Sequence, residues 1–205
     1  MLIDEPSPRG RPRDPRTHRD ITDATRHLLV RDGYDQVSID AIAREAGVSR
    51  PTVYRRWPSK AHVVFDAAFG DTGSDSEALT ISGDFDSDLR GFVRAMVEFW
   101  RAPVVEAATL GILAERRRDP DLHIRTQQLL DQQTLAAFGA LVHSGIDAGR
   151  LRADLDITML YELLVGTTFY AVLVQQHDDV DALVESLCSL VLRGSLAESE
   201  RTLDD

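Results

Sequence analysis

Residues 38–60, SIDAIAREAGVSRPTVYRRWPSK, constrain the fold more tightly than any other stretch, because they specify two short helices and the turn between them. Ser38 has the hydroxyl of an N-cap, and Ile39, Ile42, Ala43 and Ala46 follow at helical spacing. Gly47 is the residue best able to take the left-handed conformation that ends such a helix. Ser49 is placed to cap a second helix, with Pro51 in a first turn whose amides lack intrahelical partners anyway. Small Ala43 lets the helices approach, and Val48 and Val53 supply buried contacts at the crossing. The pattern is a helix-turn-helix over about 38–57. Its outward side chains, Arg50, Thr52, Tyr54 and Arg55 with Arg56 and Lys60 just beyond, are donors suited to base edges and phosphates. Ser38, Ser49 and Pro51, at the helix ends, complete the DNA-facing set.

The longer stretch GYDQVSIDAIAREAGVSRPTVYRRWPSK resembles the DNA-binding segment of the tetracycline-repressor (TetR) family of bacterial transcriptional regulators. The resemblance spans about residues 16–70, including Gly33-Tyr34, the AGVS turn and the Pro58-Ser59-Lys60 start of the next helix. It implies an all-α chain, with an N-terminal three-helix helix-turn-helix head and a C-terminal helical bundle that binds a small molecule and dimerises. The dimer helices would be about 156–177 and 179–193. The implied function is a repressor released from a palindromic operator on double-stranded DNA by a small-molecule effector. The alternatives are a helical enzyme, or a protein-binding adaptor that uses the head only for packing.

Charge is polarised in the sense that this function requires. The chain carries a formal net charge of -11, yet residues 9–60 hold 12 basic and 7 acidic side chains, leaving every negative excess outside that span. A basic head is drawn to phosphate while an acidic body is repelled, which orients the approach. Ahead of the head, Pro8-Arg9-Gly10-Arg11-Pro12 resembles an AT-hook core, in which Arg9 and Arg11 enter a narrow minor groove. The alternative is a solvated basic tail.

The spacing predicts a first helix over about 15–32, with Ile21, Ala24, Thr25, Leu28 and Leu29 on its inner face and Gly33 stopping it. Arg16 and Arg19 either reach phosphate or form a solvated face, and Tyr34 packs at the corner. Ser59 is expected to cap a further helix whose Val63, Val64, Ala67 and Ala68 face inward, with Lys60 at its amino end as a phosphate clamp. The organisation expected is a flexible basic arm over 1–15, the DNA-binding unit over 16–70, a connecting loop over 71–84, a regulatory and dimerisation unit over 85–193 and an acidic tail over 194–205. Helical segments are expected at about 85–101, 104–118, 121–148, 156–177 and 179–193, without strand alternation. Leu163 to Val174 is too short an apolar run to span a bilayer and is expected to be buried, with Gly166 allowing close approach. The N-terminus lacks a signal-like apolar run, and the single cysteine cannot form an internal disulfide, so a cytoplasmic setting is expected. Cys188 lies among apolar residues at helical spacing and reads as a packed thiol.

Candidate effector contacts are Phe92, Met96, Trp100, Phe138, Tyr161 and Phe169, each of which serves equally well as core. Thr109, Gln133, His143 and Thr168 are polar residues set in the same helices that could orient a ligand. No nucleophile, base and orienting group assemble, and the histidines at 18, 27, 62, 123, 143 and 177 show no HExxH spacing. Neither catalysis, nor a metal, nor a cofactor is therefore expected.

Overall fold

In the computed structural model, which describes residues 15–70, 82–131 and 134–194, all regular structure is helical. Helix α1, Pro15–Asp32, buries Ile21, Ala24, Thr25, Leu28 and Leu29, and Gly33 ends it at φ 76. Helix α2, Ile39–Glu45, starts with the Ser38 hydroxyl accepting from the Ala41 amide at 3.2 Å. It closes with Gly47 at φ 66, where the Gly47 amide donates to Arg44 O and the Val48 amide to Ala43 O. That paired arrangement satisfies two carbonyls that the helix end would otherwise strand.

Helix α3, Arg50–Tyr54, is short, and Val53 fixes it to the core. The caps expected of Ser49 and Ser59 are not formed. Ser49 Oγ lies 2.8 Å from Thr52 Oγ1, and Ser59 Oγ lies 2.9 Å from His62 Nδ1. A polar side chain one turn on competes with the backbone amide for each hydroxyl. Helix α4, Lys60–Phe69, buries Ala61, His62, Val63, Val64, Phe65, Ala67 and Phe69, because α1, α6 and α7 pack around it.

Helix α5, Phe85–Arg101, is the pillar of the second bundle, capped by Asp84 and burying Phe85, Leu89, Phe92, Val93, Met96, Val97 and Trp100. Around it stand α6 (Pro103–Glu115), α8 (Thr134–Asp147), α9 (Ile157–Phe169), which runs on through a π-helical turn at Tyr170–Val174, and α10 (Val180–Gly194). Residues 121–148, expected as one helix, are described as α7 (Pro120–Asp131) and α8. Helix α6 joins the two bundles, packing on α1 and α4 as well as α5. Its Gly111 is the contact point: a Cβ there would sit 2.3 Å from the Tyr34 ring, so only glycine lets that ring come so close to α6. Cys188 is fully buried, and burial pushes its thiol up to about 11.

Within the single chain, the apolar helix expected to be buried at Leu163–Val174 packs on the core along one side, through Leu164, Thr168, Ala171 and Val172. The apolar helix is longer, Ile157–Val174, with mean hydropathy 1.7 and 28% of its residues buried. Met159, Leu163, Tyr170 and Val174 face outward, each more than half exposed, and Leu190 of α10 is 70% exposed. Periodicity could not distinguish a helix buried on every side from one whose second apolar face is left uncovered.

Candidate nucleic-acid interface and the core behind it

The candidate DNA-facing surface is a row of side chains that project from α3 while Val53 points inward. Arg50, Pro51, Tyr54 and Arg55 are exposed and Thr52 is half-buried. Arg50, Thr52 and Arg55 already have partners within the protein. Arg50 Nε lies 2.5 Å from Asp40 Oδ1 on α2, and Arg55 Nη2 donates to Thr52 Oγ1 at 3.0 Å, the same hydroxyl that meets Ser49. Hydroxyl groups in solvent exchange such partners at small net cost, and Arg50, held on its Nε edge, keeps outward N–H groups, so the row remains competent to meet base edges. Ser38 and Ser49 stand exposed at the starts of α2 and α3. Arg9 and Arg11 lie outside the described residues.

Lys60 is placed differently from a free clamp. Its ammonium donates to Tyr34 O at 3.0 Å and stands 4.1 Å from the centroid of the Tyr34 ring. Burial raises that phenol to about 12. Beside it, Trp57 ends the recognition segment 2% exposed, its indole N–H donating to Asp66 Oδ2 at 2.5 Å and His18 stacking on its face at 5.0 Å. Arg125 of α7 completes the chain of contacts, pairing with Asp66 and lying over the Phe65 ring. Buried His62, between Ser59 Oγ and Asp121 Oδ2, forms a second bridge from α4 to the start of α7. The recognition helix is thus tied to the second bundle through α4.

Behind it, the aromatic residues do assemble. Phe92 packs on Phe138 at 4.9 Å, Phe138 on Tyr161 at 5.9 Å, and Trp100 on Phe169 at 5.4 Å. Trp100 Nε1 donates to buried Thr168 Oγ1 at 3.2 Å, the cluster's internal polar contact. Met96 is buried on the same helix face. Thr109 spends its hydroxyl on Val105 O, His143 is exposed and bonds Gly139 O, and Gln133 lies outside the described residues. An open cleft of about 530 Å³ lies elsewhere, lined by Arg94, Glu98, Arg101, Asp178, Asp179 and Asp181, and borders none of the aromatic candidates.

Residues 21–67 match the family of bacterial regulatory proteins of the tetR type, and residues 81–191 match the tetracyclin repressor-like C-terminal domain. An uncharacterized HTH-type transcriptional regulator of Bacillus subtilis, YdeS, is 32% identical over 94% of this chain and 96% of its own length. The chain belongs to the TetR family. It is a DNA-binding transcriptional regulator. Among solved structures, FadR from Bacillus subtilis in complex with stearoyl-CoA superimposes with a TM-score of 0.68 at 20% identity, covering 86% of this chain and 98% of that one. A transcriptional regulator from Saccharomonospora viridis in complex with choline gives 0.69 at 22%, covering 90% and 100%. Both show the shared TetR-family fold.

Sequence reasoning missed Asp40, Asp66, His62 and Arg125 in this TetR-family chain. Asp40 and Asp66 read as solvated acids on amphipathic helices, and nothing local distinguishes a carboxylate that will meet an arginine or an indole. The arginine 59 residues on from Asp66 is reached only through the packing of α4 on α7.

Proposed function

We propose that the protein is a homodimeric repressor in which a small-molecule effector lowers affinity for a palindromic operator. Arg50 and Thr52 read base edges, Tyr54, Arg55 and the α4 amino end with Lys60 position the head on phosphates, and Arg9 and Arg11 follow the minor groove. For Lys60 this requires its ammonium to trade the Tyr34 carbonyl for a phosphate oxygen. The observation that carries the reading is the solvent-facing row on α3, held on a core that leaves Val53 inward and Arg50, Tyr54 and Arg55 outward. A packing-only adaptor head has no need of that row.

The uncovered apolar faces of α9 and α10 are the dimer surface, since Met159, Leu163, Tyr170, Val174 and Leu190 leave an area that a monomer in water does not keep open. The effector enters among Phe92, Met96, Trp100, Phe138, Tyr161 and Phe169. These side chains fill their own space here, so entry requires that the cluster part, with the Trp100 to Thr168 contact exchanged for contacts to the ligand. The ties of α4 to α7 pass that movement to the heads, and the operator affinity falls by the effector's preference for the moved state. The protein acts in the cytoplasm, where its DNA is.

Selection of bound duplexes from a random pool by the full chain tests the reading. An enriched inverted repeat with half-sites about 10–10.5 bp apart, or a multiple of that, supports it. Equal retention of every duplex at low salt, or retention of none, refutes it.

A further inference from the structure

We propose that Asp40, on the helix preceding the recognition helix, is a positioning residue that sets Arg50 for guanine and so determines specificity. The inference rests on the assignment of Arg50 to base reading. Its starting point is the pair across the turn: Arg50 Nε stands 2.5 Å from Asp40 Oδ1, with both side chains more than half exposed. Arg50 opens α3 and Asp40 lies in the first turn of α2, whose relation is fixed by Gly47 at φ 66 and by the fully buried Ile42 and Val53. The carboxylate is therefore carried on a rigid frame, whereas the arginine it holds is a long chain with many rotamers.

The chemistry follows from which nitrogen is used. A carboxylate on the Nε edge of the guanidinium leaves the outward N–H of each terminal Nη available. Those groups present parallel donors to the O6 and N7 acceptors of guanine, the arrangement that makes arginine the common reader of that base. A guanidinium anchored at Nε has already lost the rotamer freedom that a free one loses on docking, so more of the contact energy appears as affinity for the correct base. It is also less able to swing toward a phosphate, which every sequence offers. Asp40 raises discrimination through both effects without touching DNA.

A competing role for an acid at this place is repulsion of phosphate, and the two roles give opposite results. Positioning predicts that Asp40→Ala flattens the preference for guanine at the one half-site position that Arg50→Ala also flattens. The expected loss is roughly fivefold to tenfold, part of the ~5- to 150-fold that a bidentate contact carries. It further predicts that Asp40→Ala in an Arg50→Ala background changes that position no further, because the residue acts only through the arginine. Asp40→Asn, which keeps shape and an acceptor, should lose less than Asp40→Ala and serves where the alanine variant folds poorly.

The experiment is selection and competition binding with the full chain, parent and variants, over a salt series. A guanine preference unaltered in Asp40→Ala and Asp40→Asn, while Arg50→Ala removes it, overturns the inference and leaves the arginine assignment standing. Tighter binding of all sequences alike, with a steeper salt dependence, also overturns it in favour of repulsion. If Arg50→Ala leaves the preference unaltered, the assignment and the inference fall together.

Discussion

Asp66 is the point at which the recognition helix, α4 and α7 meet, and its removal gives a stability loss that can be worked from the contacts. In Asp66→Ala the Trp57 indole N–H, on a side chain 2% exposed, loses its acceptor in a place where water has little access. An orphaned buried donor costs ~1–3 kcal/mol. The Arg125 partner is also lost, but Asp66 and Arg125 are 20% and 32% exposed, so screening holds that share to ~1 kcal/mol or less. The sum is ~1–4 kcal/mol, which for a chain of this size lowers Tm by roughly 2–16 °C. Asp66→Asn keeps an oxygen for the indole and loses only the ion pair, so it should fall by less than about 4 °C. Thermal unfolding at a fixed protein concentration reads both, the concentration being held because a dimer's Tm depends on it. Near-equal losses in the two variants, or an alanine variant within ~0.5 kcal/mol of the parent, would refute the assignment of the cost to the indole donor.

Four further outcomes follow from the packing. Gly111→Ala places a Cβ 2.3 Å from a Tyr34 ring that also holds the Lys60 ammonium, so overpacking of ~1–3 kcal/mol outweighs the helical gain. Gly139→Ala, with open space around it in α8, should instead gain up to ~1 kcal/mol, and denaturant midpoints at constant m separate the two. Stability should decline as pH rises from about 9 to about 11, because the unfolded Cys188 thiol ionises near its ordinary value of 9.0 while the buried one is held up to about 11. Replacing Cys188 with Ala removes that component of the alkaline loss, and a pH series of unfolding midpoints for the two proteins shows whether it does. Leu163→Glu puts a carboxylate on a side chain 57% exposed in the single chain, so a dimer through α9 and α10 should dissociate in sedimentation equilibrium while helix content is kept. A Leu163→Glu protein that stays dimeric would place the interface elsewhere.

What the sequence determined by itself is local. Ser38 caps α2, Gly47 turns the chain at φ 66, Gly33 stops α1, and Val53 against Arg50 and Tyr54 fixes which way α3 faces. Each of these depends on residues within a turn or two, where dihedral preference and helical periodicity decide the outcome before any distant contact forms. The same logic failed at Ser49 and Ser59, whose hydroxyls chose a neighbouring side chain over the backbone amide. Tertiary structure alone decided that Lys60 lies on Tyr34, that Gly111 receives the same ring, that Asp66 joins Trp57 to Arg125, and that the apolar helix Ile157–Val174 keeps one face uncovered. Those pairings join residues 9 to 77 positions apart, brought together by the crossing of α1, α4, α6 and α7. A side chain's type limits the partners it can satisfy, but which partner arrives is set by helix packing, and that depends on the whole buried surface rather than on any one segment.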